Sequence, residues 1–134
     1  MNRPTFEEGV AASVARDPRY KEEAYAFVRD ALDRTIKQQL ESGQRRPPGH
    51  VAGPELVAGA RDHALDLFGP LSRTVLESWG VETTGDLGHI VFNLIETGVF
   101  SKSATDQQSD FEAVFDFEEV FEKPFRPKPT SKRA

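Results

Sequence analysis

The side chains best suited to chemistry are few in this sequence, and they are scattered. Three histidines, His50, His63 and His89, are the only bases that ordinarily titrate near neutrality. Their separations match no metal-ligand spacing of the H-x-x-x-H kind. On a helix, Asp62, His63 and Asp66 would set carboxylates within a turn of an imidazole. Asp86, His89, Asn93 and Glu96 would likewise share one face. Both groupings have the donor types to lodge a metal, but surface helices produce such groupings without any ligand, so we read both as solvated polar faces. Acid–base catalysis needs a carboxyl group held in a cleft with a raised pKa, and nothing around Glu55, Glu77, Glu82 or Glu96 singles one out. The chain has no G-x-S-x-G elbow, no P-loop and no dinucleotide fingerprint. Gly85-Asp86-Leu87-Gly88 reads as the start of a helix, not as a phosphate cradle. With no cysteine, disulfides, thiolate metal sites, iron–sulfur clusters and cysteine nucleophiles are all excluded. The expectation is no catalytic residue, no metal and no cofactor.

Charge is informative through its placement. The net of −5 divides into +1 over residues 1–48, −5 over 49–101, −6 over 102–122 and +5 over 123–134. An acidic second half is thus followed by a short basic tail. Acids crowd a stretch that also holds Phe111, Phe115, Phe117 and Phe121. Two readings stand side by side here. Either the phenylalanines cover the core while the acids face water, or they stay available beside the carboxylates for a basic partner with its own apolar anchor.

The elements that position these residues follow from periodicity and caps. Thr5-Phe6-Glu7-Glu8 matches a capping box, and Phe6, Val10 and Val14 form one stripe of a first helix ending near Arg16. Asp17-Pro18 predicts a restart, with a second helix over residues 18–41 burying Tyr20, Ala24, Phe27, Val28, Ala31, Thr35 and Ile36. Residues 42–49, rich in Gly, Pro and Arg, read as an exposed linker. A third helix from about Pro54 carries Leu56, Val57, Ala60, Ala64, Leu67 and Phe68. Gly69-Pro70 then opens a short fourth helix, which ends at Trp79-Gly80 with Val81 as its hydrophobic contact. Thr83-Thr84 caps a fifth helix over residues 85–97, closed by Gly98. Beyond it the pattern predicts a small hairpin, with strands over residues 99–102 and 111–117, then a helical turn through Glu118, Glu119, Val120 and Phe121. With three prolines and little to bury, residues 123–134 are expected to be disordered.

Helix, short helix, turn, helix and hairpin is the order of a winged-helix domain. The run from Thr84 through Leu94-Ile95-Glu96-Thr97-Gly98 to Lys102 resembles a recognition helix entering its first wing strand. A second resemblance spans most of the domain. It rests on Ala15-Arg16-Asp17-Pro18-Arg19-Tyr20, Glu23-Ala24-Tyr25-Ala26-Phe27-Val28, Trp79-Gly80, Gly88-His89-Ile90-Val91-Phe92-Asn93-Leu94 and Asp116-Phe117-Glu118-Glu119. In these residues the chain is similar to a small family of uncharacterised bacterial single-domain proteins. That resemblance implies a compact domain and no particular activity.

The expected fold is therefore mainly α with a small β-hairpin. A helical pair (residues 1–48) packs on a winged-helix-like part (residues 53–122), followed by the basic tail (123–134). The charge argues against the DNA role a winged helix suggests, since the fifth helix has no Lys or Arg and the proposed hairpin has Lys102 alone against several acids. The first functional expectation is a non-catalytic protein-interaction module that meets a basic partner through Phe111, Glu112, Phe115, Asp116, Glu118 and Glu119. The alternative is a nucleic-acid-associated regulator contacting phosphates through Arg45, Arg46 and the tail; an enzyme with an unrecognised site comes third. Residues 1–8 hold no apolar segment of the signal-peptide type, and no apolar run approaches the roughly 20 residues of a bilayer span. The expectation is a cytoplasmic protein without a membrane partner.

Overall fold

The structure, a computed structural model, describes residues 4–43, 51–100 and 107–127. Five α-helices make up the frame: α1 (Phe6–Arg16), α2 (Glu22–Glu41), α3 (Gly53–Phe68), α4 (Ser72–Ser78) and α5 (Thr84–Glu96). The capping box of α1 forms as its sequence requires. The Thr5 hydroxyl accepts from the Glu8 amide at 3.1 Å, and the Glu8 carboxylate accepts from the Thr5 amide at 2.8 Å.

The second helix starts four residues later than Asp17-Pro18 predicts. Tyr20 must sink into the core, where it is 1% exposed, and the Lys21 amide donates across the molecule to the Trp79 carbonyl at 3.0 Å. The linker backbone is thus committed to the α4–α5 turn and is not free to begin a helix. From Glu22 onward α2 runs antiparallel to α3, as shown by the pairs Gln39–Glu55, Thr35–Gly59 and Phe27–His63. The closest approach is at Gly59, where an added Cβ would sit 2.0 Å from the Thr35 hydroxyl oxygen. Only a hydrogen side chain lets the two helices come that near.

Both later helix endings are Schellman caps. After α4, the Gly80 and Val81 amides donate to the Glu77 and Leu76 carbonyls; after α5, Gly98 and Val99 donate to Ile95 and Leu94. Gly80 and Gly98 hold the left-handed conformation, with φ of 95° and 85°. Leu87, Ile90, Val91 and Leu94 of α5 meet Ala24, Tyr25, Val28, Val57, Ala60 and Leu76 in one core.

The predicted hairpin is not formed. The Val99 and Phe100 amides both turn back to the Leu94 carbonyl, at 2.9 and 3.1 Å, so they are spent on the end of α5. The rest of that strand, residues 101 and 102, lies outside the described residues. The expected second strand, over residues 111–117, is instead a 3₁₀ turn (Gln108–Phe111) and an irregular stretch broken by Ala113 at φ 50°. Its polar groups pair with α5: Val114 N–H donates to the Thr84 hydroxyl at 3.2 Å, and the Gln108 side-chain amide donates to the Gly85 carbonyl at 3.0 Å. Gly85 and Gly88, one turn apart, leave α5 flat enough for this segment to lie on it. A Cβ at Gly88 would meet the Phe111 ring carbon Cγ at 2.7 Å. A period-two pattern of phenylalanines cannot be told from irregular chain whose partner is a helix face, and that is where the sequence reading failed. No strand, and hence no wing, exists among the described residues. The architecture is mainly helical.

After this segment a single π-helical turn (Glu118–Glu122) brings Phe121 against Phe117, with ring centroids 5.0 Å apart, and Phe115 closes the cluster at 5.7 Å from Phe121. The chain then continues as a 3₁₀ turn, Lys123–Phe125, where disorder is expected from its composition. Most of the expected linker, including Arg45 and Arg46, lies outside the described residues, as do His50 and residues 128–134. No described helix is long and apolar enough to cross a membrane.

Gly80 gives the clearest test of the frame. A Cβ there would lie 2.0 Å from the Arg19 carbonyl oxygen, whereas one at Gly43, also left-handed at φ 72°, meets nothing within 4 Å. Gly80→Ala is expected to destabilise the protein by about 1–3 kcal/mol more than Gly43→Ala in urea unfolding. Equal losses would show that the linker does not pack there.

Candidate functional site at the amino end of α5

The first turn of α5 is organised by Asp86. Its Oδ2 accepts from the Glu82 and Thr83 amides at 2.8 and 3.0 Å, and Thr83 Oγ1 accepts from the Asp86 amide at 3.3 Å. Its Oδ1 accepts from the Tyr20 hydroxyl at 2.5 Å. That hydroxyl also meets His89 Nδ1 at 2.8 Å. Burial pushes the Asp86 carboxyl up, but the Tyr20 hydroxyl, the two loop amides and the nearby His89 outweigh it and leave the group below its ordinary value. An ionised Asp86 only accepts, so the Tyr20 proton belongs to Asp86 and Nδ1 of His89 must supply the second hydrogen. The neutral His89 ring is thereby held as the Nδ1–H tautomer, with Nε2 as its acceptor. Tyr20 itself is pushed far up, first by burial and then by Asp86.

Two turns beyond Asp86 on α5, the Asn93 side-chain amide donates to Asp17 Oδ2 at 2.9 Å and to the Tyr25 hydroxyl at 3.0 Å. Asp17 also takes a forked pair from Arg19, 2.8 Å on each oxygen. Arg19 holds the Asp17 carboxyl well below the usual range against the cost of burial, and Asn93 adds to its pull. The face expected to be solvated is therefore a polar seam that docks α5 onto the α1–α2 linker. Asn93 is buried, Asp86 and His89 are partly so, and only Glu96, 4.0 Å from Arg16, faces water. The sequence reading missed Asp17, Tyr20 and Tyr25 as members. Tyr20 signals only an apolar helix face and Asp17 only a helix cap, and nothing local marks Tyr25.

The grouping around His63 does not converge. Asp62 pairs with Arg61 at 2.9 Å and Asp66 with Arg34 at 2.6 Å. The imidazole packs on Phe27 with ring centroids 5.4 Å apart. Burial and Arg34 lower its pKa against Asp30 and Asp66. Among the described residues no three His, Asp or Glu side chains are placed to hold a metal.

A groove of about 410 Å³ opens against the same first turn of α5, between Glu82–Gly85 and the segment 112–117. Its floor is Thr84 and Gly85, and its walls carry Glu82, Glu112, Asp116 and Phe115. Glu112 lies over the helix start, its Oε2 2.9 Å from where a Cβ on Gly85 would stand. A carboxylate there is favoured by the positive end of the helix. A larger open groove of about 790 Å³ separates α1 from α2, with Phe6, Val10 and Val14 along it and the Arg29 guanidinium 4.3 Å above the Phe6 ring. Its rim mixes Glu7, Glu22 and Glu23 with Lys21 and Arg29, and so favours no charge.

The six residues expected to meet a partner separate into three sets. Glu112, Phe115 and Asp116 line the α5 groove together. Phe111 is only 2% exposed and belongs to the core, as do Phe117 and Phe121. Glu118 and Glu119 stand on the following turn and are already engaged, Glu118 with Arg126 at 3.0 Å and Glu119 with Lys123 at 2.7 Å.

Two consequences are measurable. Tyr20→Phe leaves Asp86 without its buried donor and is expected to cost about 1–3 kcal/mol. The ¹⁵N shifts of neutral His89 are expected to report the Nδ1–H form in the parent and to move toward a tautomer mixture in the variant; an unchanged tautomer would exclude the relay. In pH-dependent unfolding, the depressed Asp17 and Asp86 stabilise the fold above about pH 4, and this is lost as pH falls through their folded values. The raised Tyr20 adds stability that is intact below about pH 10 and declines as pH rises further. Tyr20→Phe should reduce that alkaline decline, leaving the part due to Tyr25, whose hydroxyl burial also pushes up, and flatten the acid one; a profile like the parent's would count against both assignments.

No protein-family model, curated protein or solved structure matches this chain, so the site is read from its own chemistry.

Proposed function

We propose that this protein is a non-catalytic interaction module, and that its α5 groove receives a basic side chain from a protein partner. One observation carries the reading. Glu82, Glu112 and Asp116 surround a single recess beside Phe115, and among the described residues no Lys or Arg stands within ion-pair distance of any of them. Several carboxylates elsewhere on the described surface have a cation at hand, as in Arg34–Asp66, Arg61–Asp62 and Arg73–Glu77. Three carboxylates left uncompensated around one recess repel each other, and an incoming ammonium or guanidinium relieves that repulsion. Phe115 offers apolar contact to the stem of such a side chain.

The same charge disfavours a phosphate backbone at this face. A nucleic-acid role would have to work through Arg45, Arg46 and the tail beyond Pro127. The Asp86–Tyr20–His89 relay spends its hydrogen bonds on joining helices, which gives it a structural purpose without substrate.

Calorimetric titration of an arginine-rich peptide into the full chain tests the reading. Binding is expected at low salt and should weaken as salt is added, since exposed charges are screened within about 10 Å at 0.1 M. Glu82→Gln/Glu112→Gln is expected to lower affinity about tenfold while leaving the circular-dichroism spectrum unchanged. Undiminished binding by this variant would refute the groove as the site.

A further inference from the structure

The turn after the groove is closed by cations from its own chain. Lys123 Nζ lies 2.7 Å from Glu119, and Arg126 Nη2 reaches Glu118 at 3.0 Å and Glu122 at 3.2 Å. Glu122 also takes Arg73 of α4 at 2.8 Å, and Arg73 in turn holds Glu77 at 3.0 Å. The Lys123–Phe125 turn continues the helical run of Glu118–Glu122, so Lys123 and Arg126 stand beside acids one and two turns earlier, and Glu122 ties the run to α4. The carboxylates on this side of the molecule fall into an open set lining the groove, Glu82, Glu112 and Asp116, and a shielded trio next to it, Glu118, Glu119 and Glu122.

We infer that Lys123 and Arg126 form an internal strap that mimics a basic partner, limiting access to Glu118 and Glu119 until a stronger cationic ligand displaces it. This rests on the groove reading above and specifies how that surface is regulated. The strap's side chains are about half exposed, 49% for Lys123 and 53% for Arg126. Ion pairs so placed are individually weak and salt-sensitive, which makes them displaceable. A polycation with several charges would anchor first at Glu82, Glu112 and Asp116. It would then compete for the neighbouring trio at high effective concentration, because the second contact is intramolecular once the first is made. Arg73 is not part of what leaves: its contact with Glu122 keeps the turn itself in place.

The experiment is a charge cycle, read by calorimetry with the same arginine-rich peptide on full-length chains. Lys123→Gln/Arg126→Gln is expected to tighten binding about three- to tenfold and to steepen its salt dependence. The charge-conserving Lys123→Arg/Arg126→Lys should bind as the parent does. Glu118→Gln/Glu119→Gln should change parental affinity less than twofold, yet abolish the gain when combined with Lys123→Gln/Arg126→Gln. Circular dichroism and thermal melting establish that each variant is folded. Unchanged or weaker binding by Lys123→Gln/Arg126→Gln, with parental binding still sensitive to Glu82→Gln/Glu112→Gln, would overturn the strap and leave the groove standing. Binding insensitive to both sets of substitutions would remove the two together.

Discussion

The Tyr20 hydroxyl on Asp86 is the contact on which the remaining geometry depends. One oxygen of that carboxylate begins α5, through the Glu82 and Thr83 amides, and the other binds a tyrosine from the far end of the sequence. To reach it, the α1–α2 linker must turn at Pro18 and Arg19 instead of starting a helix, pass close over Gly80 and lend its Lys21 amide to Trp79. Arg19, displaced outward, turns back to Asp17 and stacks 5.1 Å from the Tyr20 ring. Asp17 then meets Asn93, a further two turns along α5. A buried polar row of this kind is costly if any member lacks a partner and rigid when all are satisfied. Here each member has one, so α5 is fixed in both position and rotation.

That rotation decides what α5 offers on its opposite side. With Asp86, His89 and Asn93 turned toward the linker, Gly85 and Gly88 present a side-chain-free strip to residues 107–117. Phe111 packs on Gly88, while Glu112 stands over Gly85. The groove is the space left where the segment turns away after Val114. Its acids sit near a helix start, where the positive end of the dipole lowers the cost of placing them together. The groove is thus a by-product of how tightly one helix is held.

Much of the frame was legible from sequence because local rules governed it. The capping box at Thr5, the cap at Thr83, the glycine endings at Gly80 and Gly98, and most of the apolar stripes of α2, α3 and α5 form where spacing places them, although Leu67, expected on the α3 stripe, is exposed. The failures share another cause. Pro18 is a good helix starter overruled by the burial of Tyr20. The polar face of α5 was read as solvated because its partners, Asp17, Tyr20 and Tyr25, lie about 70 residues away. Phe111 to Phe117 alternates like a strand but answers to two glycines on a helix. Glu112, Phe115 and Asp116 were recoverable from acid and aromatic density. Glu82 was not, since only the fold brings it opposite them. Nor does sequence tell an acid that is free from one, such as Glu118 or Glu119, that its own chain neutralises.

Amide chemical-shift mapping of the ¹⁵N-labelled chain, titrated with the arginine-rich peptide, tests most directly whether the amino end of α5 is the recognition site. The expected result is saturable movement concentrated at Thr84, Gly85, Ala113, Val114 and Asp116, with α2 and α3 unmoved. Shifts centred instead on Phe6, Lys21 and Arg29 in the α1–α2 groove, or spread evenly over every exposed acid, would contradict it.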